Sequence, residues 1–233
     1  ERVVGMAPRR TVLSRPDPTN PHSERVLAAN VDFVVIVGSV AMPPFRPGLI
    51  DRVAIAVERG GATPIICLNK VELDGDADLS SFSGYRVIRT SCVTGQGIDE
   101  LRAAIRARTC VFTGHSGVGK SSLINALFPE LHQKTAESGI KGGHTTTSSS
   151  LHEDADGTRV IDTPGIREFG LWRVGAKDVR EYFPEFRELA RGCKFGDCTH
   201  SHEPDCAVRE SGTPRYERYL RLLATLAHRR PEL

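Results

Sequence analysis

The chain has 233 residues, a formal net charge of +2 at pH 7 and 39% hydrophobic residues. This length and hydrophobic content suffice for one medium-sized domain with a substantial core and a smaller appendage. The nearly neutral charge excludes nucleic-acid binding driven by a global field, so such binding would need local basic patches. No apolar run approaches the length of a membrane span and no signal peptide is visible, so we expect a cytoplasmic protein without a membrane partner.

Three regions differ in pattern. Residues 1–30 contain four prolines and are interpreted as a strand remnant and an extended linker. Residues 31–172 alternate strand-like apolar runs with helical patterns, for example at 49–59 and 98–106. This alternation predicts an α/β domain with a mostly parallel sheet, helices on both faces and ligands at the carboxyl ends of the strands. Residues 173–233 change to short helices around a Cys/His cluster, which predicts a small helical zinc-binding domain.

The first candidate binding motif is Asn69-Lys70-Val71-Glu72, which follows an apolar run at 64–68. In an N-K-x-D element the carboxylate accepts hydrogen bonds from guanine N1–H and the exocyclic amine. Glu72 keeps both acceptor oxygens but shifts their reach by one methylene. We expect Asn69 to bridge the base and neighbouring loops, and the Lys70 stem to lie against the base.

The second motif begins at Ser91 and Cys92, where a backbone N–H would reach guanine O6. An ordinary strand-to-helix turn ending at Gly97 would account equally well for this short string on its own.

A phosphate loop follows the apolar run 110–112 and precedes a helical pattern. Its backbone N–H groups and the helix N-terminus are suited to phosphate oxygens, Lys120 supplies a positive charge, and the Ser121 hydroxyl is a Mg²⁺ ligand. The strand, loop and helix context disfavours a chance glycine-rich turn. The candidate GTP-binding residues of this region are Gly114, His115, Ser116, Gly117, Val118, Gly119, Lys120, Ser121 and Ser122.

The last nucleotide motif is Asp162-Thr163-Pro164-Gly165 after a hydrophobic stretch. Asp162 is placed to hold the Mg²⁺ hydration shell, and the Gly165 amide to sense the γ-phosphate. An ordinary small GTPase has its phosphate loop first and its base-reading elements last. Because the order here is reversed, the chain resembles a circularly permuted GTPase.

Three cysteines and a histidine crowd together near the C-terminus, namely Cys193, Cys198, His200 and Cys206. Three thiolates and one imidazole form a closed tetrahedral set for one structural Zn²⁺. A disulfide would leave an odd thiol, unligated cysteines are the other alternative, and His202 is a competing imidazole.

Basic and aromatic residues alternate in the C-terminal helical pattern, residues 214–230. This composition suits RNA contact through a set of arginines and tyrosines, namely Arg215, Arg218, Arg221, Arg229, Arg230, Tyr216 and Tyr219. The alternative is an amphipathic helix that packs Leu220, Leu223 and Leu226 inward behind a solvated basic face.

The motif order, the run at 142–147, the string at 162–171 and the Cys/His cluster together resemble the bacterial ribosome small-subunit-dependent GTPases, the RsgA/YjeQ family. The resemblance runs from about Arg10 to the C-terminus. It implies a GTP hydrolase that binds GTP, GDP, the small ribosomal subunit and its rRNA during late maturation, and we expect a monomer. It also implies an N-terminal OB-fold, of which residues 1–7 would be only the last strand.

The resemblance assigns hydrolysis to His144, because Ile166 stands where many GTPases place a water-orienting glutamine. His144 would orient the attacking water or act as general base; a solvated loop histidine is the alternative. One of three consecutive threonines would supply a second Mg²⁺ hydroxyl, and we choose Thr146. Two other functions stay open: a permuted GTPase of the large subunit, and a GTP-dependent binding module with negligible turnover. We would not expect the Cys/His cluster in the large-subunit factors.

Overall fold

The computed structural model describes residues 8–17, 19–20, 23–75, 77–129, 150–162, 171, 174–175 and 177–227, with backbone alone at 150, 162 and 227. The chain divides into two compact units. The first contains Glu1–Ala77 and Arg86–Trp172, and the second contains Asp78–Tyr85 and Arg173–Leu233. No helix among these residues is long and apolar enough to cross a membrane.

A six-stranded sheet organises the first unit. Its strands are β3 (Phe33–Ser39), β4 (Thr63–Asn69), β5 (Arg86–Arg89), β6 (Thr109–Gly114), β7 (Ser150–Glu153) and β8 (Arg159–Asp162). Their spatial order is β5-β4-β3-β6-β8-β7. Only β7 runs antiparallel to its neighbour. The predicted mostly parallel sheet is therefore confirmed, and the order reverses direction beside β3 and β6, where such sheets bind ligands.

Helices cover both faces of this sheet. They are α1 (Pro47–Arg59), α2 (Ile98–Ile105) and α3 (Lys120–Leu127). Alternate side chains of β3, such as Val35 and Val37, join a core cluster with Leu101 of α2 and Leu123 of α3. The intervening side chains of β3 point to the opposite face, where α1 contacts β3 and β4. The apolar runs 64–68 and 110–112 noted in the sequence belong to β4 and β6 of this sheet.

The N-terminal segment differs from the predicted linker. It forms an antiparallel hairpin of β1 (Val12–Pro16) and β2 (Glu24–Ala29). The Thr11 hydroxyl donates to the Val31 carbonyl over 2.8 Å, and the Val12 N–H donates to the Gly60 carbonyl over 2.9 Å. These bonds attach the hairpin to the first unit. The prolines had suggested an irregular chain, but Pro16 lies at a strand end, where a missing N–H is tolerated.

The second unit consists of short helical elements. They are α4 (Pro184–Leu189), α5 (Ala207–Glu210), α6 (Tyr216–Ala227) and 3₁₀ turns at Ser80–Phe82, Val179–Tyr182 and Ala190–Gly192. The sequence did not predict that the turn at Ser80–Phe82 belongs to the second unit, because its segment lies in the chain between β4 and β5 of the first unit. Phe82 is fully buried within this unit.

Candidate functional site

The phosphate loop lies between the end of β6 and the start of α3. Gly114 has φ +143°, and a Cβ there would lie 2.1 Å from the Val37 carbonyl oxygen. Gly119 has φ +94°, and a Cβ there would lie 2.3 Å from the Asn69 side chain. Only glycine is compatible with these two close approaches. The loop backbone therefore turns tightly against β3 and β4, as a cradle for phosphate oxygens requires.

Lys120 and Ser121 open the helix that follows this loop. The Lys120 ammonium donates to the carbonyls of Gly114 and His115 over 2.9 and 2.8 Å, so its charge lies at the mouth of the loop. Ser121 is exposed in the first turn of α3. The N-terminal end of α3 thus lies beside a positive charge and a hydroxyl. This arrangement favours the binding of an anion with an associated cation.

Asn69 joins the base-reading strand to the phosphate loop. It is 2% exposed, and its amide nitrogen donates to the Val118 carbonyl over 2.9 Å. Its amide oxygen accepts from the Thr90 hydroxyl over 3.1 Å. Three motifs far apart in sequence are therefore tied together by one side chain. Thr90 is a residue that the sequence analysis missed, and its position directly before Ser91 was the available signal.

Ser91 shapes the second base-reading loop. Its hydroxyl accepts hydrogen bonds from the backbone N–H groups of Val93 and Thr94 over 3.2 and 3.1 Å. The turn continues to Gly97, after which α2 begins. The loop is thus a strand-to-helix turn, as the alternative interpretation held, and it also lies beside the N-K-x-E element.

Glu72 lies close enough to act electrostatically on Cys92 of that loop. Partial burial raises the pKa of the Cys92 thiol first, and the negative charge of Glu72 raises it further. The Glu72 carboxylate is exposed. An exposed carboxylate beside this loop is compatible with the guanine-reading role predicted for Glu72. Burial likewise raises the pKa of Cys67 and Cys110 to about 12, so both behave as apolar core groups.

Several predicted residues fall outside the described part of the chain. They are His144, Thr146 and Gly165. Asp162 is the last residue of β8, which pairs with β6, the strand that leads into the phosphate loop.

The four predicted zinc ligands come together in the second unit. Their ligand atoms all lie within 4.8 Å of one another. The His200 Nδ1 lies 3.6 Å from the Cys193 sulfur and 3.5 Å from the Cys206 sulfur, and these two sulfurs are 3.9 Å apart. Zinc bonds of about 2.0–2.3 Å in a tetrahedron place ligand atoms roughly 3.5–3.8 Å apart. The spacing fits this geometry, whereas a disulfide needs about 2.05 Å between sulfurs.

Surrounding groups hold these ligands in place. Burial and the positive charge of Arg180 lower the pKa of His200, favouring the neutral imidazole that a metal requires. Arg180 also donates to the Cys198 carbonyl over 2.7 Å, and the Tyr216 hydroxyl donates to the His200 carbonyl over 2.9 Å. His202 is exposed and bonds to Ser201, so it does not compete for the site.

Glu203 organises the loop that carries His200. Its two carboxylate oxygens accept hydrogen bonds from the Thr199 N–H and hydroxyl and from the N–H groups of Ser201 and His202. Burial alone would raise the pKa of Glu203, but these donors outweigh it and hold the pKa well below its usual range.

The RNA contact predicted for the segment 214–230 is wrong for three residues. Arg215, Tyr216 and Tyr219 are buried. Arg215 forms an ion pair with Glu185 at 3.0 Å, and its guanidinium lies 4.3 Å from the Phe183 ring centroid. The helix packs Leu222 and Leu226 inward, whereas Leu220 and Leu223 are half-buried, so only part of the predicted apolar stripe is confirmed. Aromatic and arginine side chains here form the core of a small unit.

A model of the RsgA GTPase family matches residues 6–172, which is more than half of the chain. The chain belongs to the RsgA GTPase family. It is therefore a GTPase, and the predicted permuted fold is confirmed by the solved structures below.

Two curated relatives illustrate the match. One is the small ribosomal subunit biogenesis GTPase RsgA of Sodalis glossinidius (strain morsitans), which is 42% identical over 93% of this chain and 67% of that protein. The other, of the same name, is from Gemmatimonas aurantiaca and is 40% identical over 94% of this chain and 76% of that protein.

Two solved structures share the fold. The structure of YjeQ from Thermotoga maritima has a TM-score of 0.77 and 31% identity, covering 96% of this chain and 78% of that one. The structure of YloQ, described as a circularly permuted GTPase, has a TM-score of 0.68 and 30% identity, covering 88% of this chain and 71% of that one.

Proposed function

We propose that this RsgA-family GTPase binds GTP between its base-reading loops and its phosphate loop, and that it acts on the small ribosomal subunit during late maturation. The observation that carries the nucleotide site is the position of Asn69. One buried amide bonds to the Val118 carbonyl and to Thr90, which unites motifs from three parts of the chain. The names of the relatives support the choice of the small subunit.

Each motif has a separate task at this site. Glu72 accepts hydrogen bonds from the two guanine donors, and the Lys70 stem lies along the base. In the loop at Ser91 and Cys92, the Cys92 N–H is the donor proposed for guanine O6, because the Ser91 N–H donates to the Gln96 carbonyl over 3.0 Å. The phosphate-loop backbone and Lys120 bind the phosphates. An exposed hydroxyl at the N-terminus of α3 suits a hard cation. Ser121 would hold Mg²⁺ together with Thr146 and Asp162, and Mg²⁺ would neutralise charge on the phosphates.

A structural Zn²⁺ is the second group that the residues fit. Three sulfur atoms and one imidazole nitrogen lie within 4.8 Å of one another, and the distances among Cys193, His200 and Cys206 are 3.5–3.9 Å. All four positions would be filled by protein, so the site offers no open position for substrate. The metal would hold together short helices whose own core is small.

Hydrolysis is assigned to His144, with Ile166 unable to orient water by hydrogen bonding. Gly139, Gly142 and Gly143 precede His144, and ordering such a glycine-rich segment has a high entropic cost. A subunit surface that binds the ordered segment better than other conformations would raise kcat. We therefore propose that the free protein hydrolyses GTP slowly and that hydrolysis is faster on the small subunit. We also propose that the protein is a cytoplasmic monomer and contacts rRNA.

The test is GTP turnover of the chain titrated with isolated small subunits, with large subunits as the parallel titration. We expect stimulation by small subunits only. His144→Ala should lose that stimulation and bind GTP nearly as well as the parent. Lys120→Ala serves as the contrast, because loss of its charge should weaken binding itself. Equal turnover of His144→Ala and the parent on the subunit would remove His144 from catalysis, and stimulation by large subunits alone would overturn the choice of partner.

A further inference from the structure

A loop outside the nucleotide motifs contacts two of them. This 39–45 loop connects β3 to α1 within the first unit. The carbonyl of Met42 accepts a hydrogen bond from the Lys70 ammonium. The Pro43 ring lies 3.5 Å from the point where a Cβ on Gly117 would stand. The loop therefore touches the base-reading lysine on one side and the phosphate loop on the other.

The sheet holds this loop at its base. Ser39 is 1% exposed, and its hydroxyl donates to the Pro43 carbonyl over 2.6 Å. The Val40 N–H donates to the Asn69 carbonyl over 3.1 Å. At the far end, the Phe45 ring packs 3.1 Å from the Cβ position of Gly38. The hydrogen bond from the Ser39 hydroxyl to the Pro43 carbonyl fixes the turn next to Met42.

The two residues that meet have uncommon backbone conformations. Met42 has φ +50° and Lys70 has φ +62°, both in the left-handed region that non-glycine residues seldom adopt. Such conformations persist where surrounding contacts hold them, and they concentrate at functional sites. Met42 is also 71% exposed, so burial of its side chain does not explain the conformation. The carbonyl, which is directed to Lys70, is the part of Met42 with a role.

We infer that the 39–45 loop is a third wall of the nucleotide site, and that Ser39 is a positioning residue which acts through Lys70. Ser39 fixes Pro43, and with it the Met42 carbonyl. This carbonyl holds the lysine ammonium so that the stem is extended where the purine base binds. The inference rests on the proposed GTP site.

The physical basis is preorganisation. A lysine side chain has four rotatable bonds, and restricting their rotation on binding costs conformational entropy. A stem whose end is already hydrogen-bonded has less freedom to lose when the base arrives, so affinity increases without a new contact to the nucleotide. The base is common to GDP and GTP, and the proposed contact of the Lys70 stem is with the base rather than with the phosphates. The effect should therefore appear equally in the Kd of both nucleotides and in KM, and not in kcat.

The test is Ser39→Ala in the full chain, with affinity measured by competition against a fluorescent GDP. Alanine keeps the backbone and most of the volume and removes only the hydroxyl. We expect the Kd of GDP and GTP to rise about fivefold, the size expected when one long side chain must be ordered on binding. Ser211→Ala is the matched control, because the Ser211 hydroxyl donates to the Val208 carbonyl over 2.8 Å in the other unit. That variant should bind like the parent.

A double-mutant cycle separates positioning from general loosening. Lys70→Met keeps the apolar stem and removes the ammonium that donates a hydrogen bond to the Met42 carbonyl. In that background Ser39→Ala should change the GDP Kd by less than about twofold, since contacting residues give non-additive effects. A full fivefold loss in both backgrounds, a loss in kcat alone, or no loss in Ser39→Ala would overturn the inference. Failure of the parent chain to bind GDP would instead refute the proposed function.

Discussion

Asn69 shows how one residue can organise the candidate nucleotide site. A side-chain amide has donors at one end and an acceptor at the other, and Asn69 uses both. The sequence motif predicted an asparagine between base and loops; the structure shows its contacts with the loops, and the contact with the base stays a prediction. The motif could not predict Thr90, because a threonine at a strand end has no distinctive pattern. Its role depends on the register that places β5 beside β4.

Thr90→Val should weaken both folding and nucleotide binding. Valine keeps the shape of threonine but leaves the buried Asn69 amide oxygen without its donor, at a cost of about 1–3 kcal/mol. We expect the free energy of unfolding to fall by about that amount and the Kd of GDP to rise about tenfold. Urea denaturation and nucleotide titration measure the two effects.

Thr94→Val is the control for this substitution. Thr94 lies in the same loop, is exposed, and its hydroxyl accepts only a long 3.4 Å bond from the Gln96 N–H. In Thr94→Val, the free energy of unfolding and the Kd of GDP should equal those of the parent within experimental error. A Thr90→Val protein that binds GDP as tightly as Thr94→Val would show that Asn69 does not depend on this bond.

Among the elements, the parallel strands and their helices were readable from apolar periodicity, whereas the hairpin of β1 and β2 and the turn at Ser80–Phe82 were not. Both are short, and their stability comes from partners distant in sequence. Phe82, for example, is buried beside Arg215, whose guanidinium lies 5.8 Å from its ring centroid. For the same reason the burial of Tyr219 was missed. Composition alone does not distinguish a basic aromatic face for RNA from the core of a small unit.

Glu203→Gln should destabilise the loop that carries His200. An amide can accept at only one end, so at least two of the four donors lose their partner. We expect the zinc-loaded protein to lose roughly 4 °C or more in the melting of its second unit at pH 7.

The pH dependence follows from the lowered pKa of Glu203. A carboxylate with a folded pKa below its unfolded value stabilises the fold above the unfolded pKa, about 4.3, and the stabilisation is lost as pH falls toward the folded value. The difference in melting temperature between parent and Glu203→Gln should therefore be constant from pH 7 to about 5 and shrink below about pH 4. A difference that grows in acid would contradict this account.

At the scale of the whole molecule, the two units have separate sources of stability. The first has a continuous apolar core between sheet and helices. The second has short helices around a cluster of three cysteines and one histidine that could hold a metal ion. The change of pattern after residue 172 led us to expect a second domain there, and the domain boundaries at 30 and 172 remain a prediction. The inclusion of Asp78–Tyr85 in the second unit could not be read from the sequence, since it depends on a tertiary contact.

Cys198→Ser should disrupt the second unit and spare the first. Metal affinity in such a site is part of the folding free energy, so loss of one thiolate releases the short helices. Hydrogen exchange should show lost protection at residues 177–227 and also at 78–85, with the sheet of the first unit unchanged. Cys110→Ser is the contrast, because Cys110 is a buried core residue and its loss should affect the first unit instead. Full protection around Cys193–Cys206 in metal-free protein would contradict the zinc assignment.

The central claim is that the permuted motifs form one guanine-nucleotide site. Its most direct test is a paired titration of the parent chain and Glu72→Ala with GDP and ADP. We predict that the parent binds GDP at least about a hundredfold more tightly than ADP, because ADP leaves the hydrogen-bonding groups of the site unpaired. Glu72→Ala should lose most of this preference by weakening GDP while hardly changing ADP. Equal affinity of the parent chain for GDP and ADP would contradict the claim.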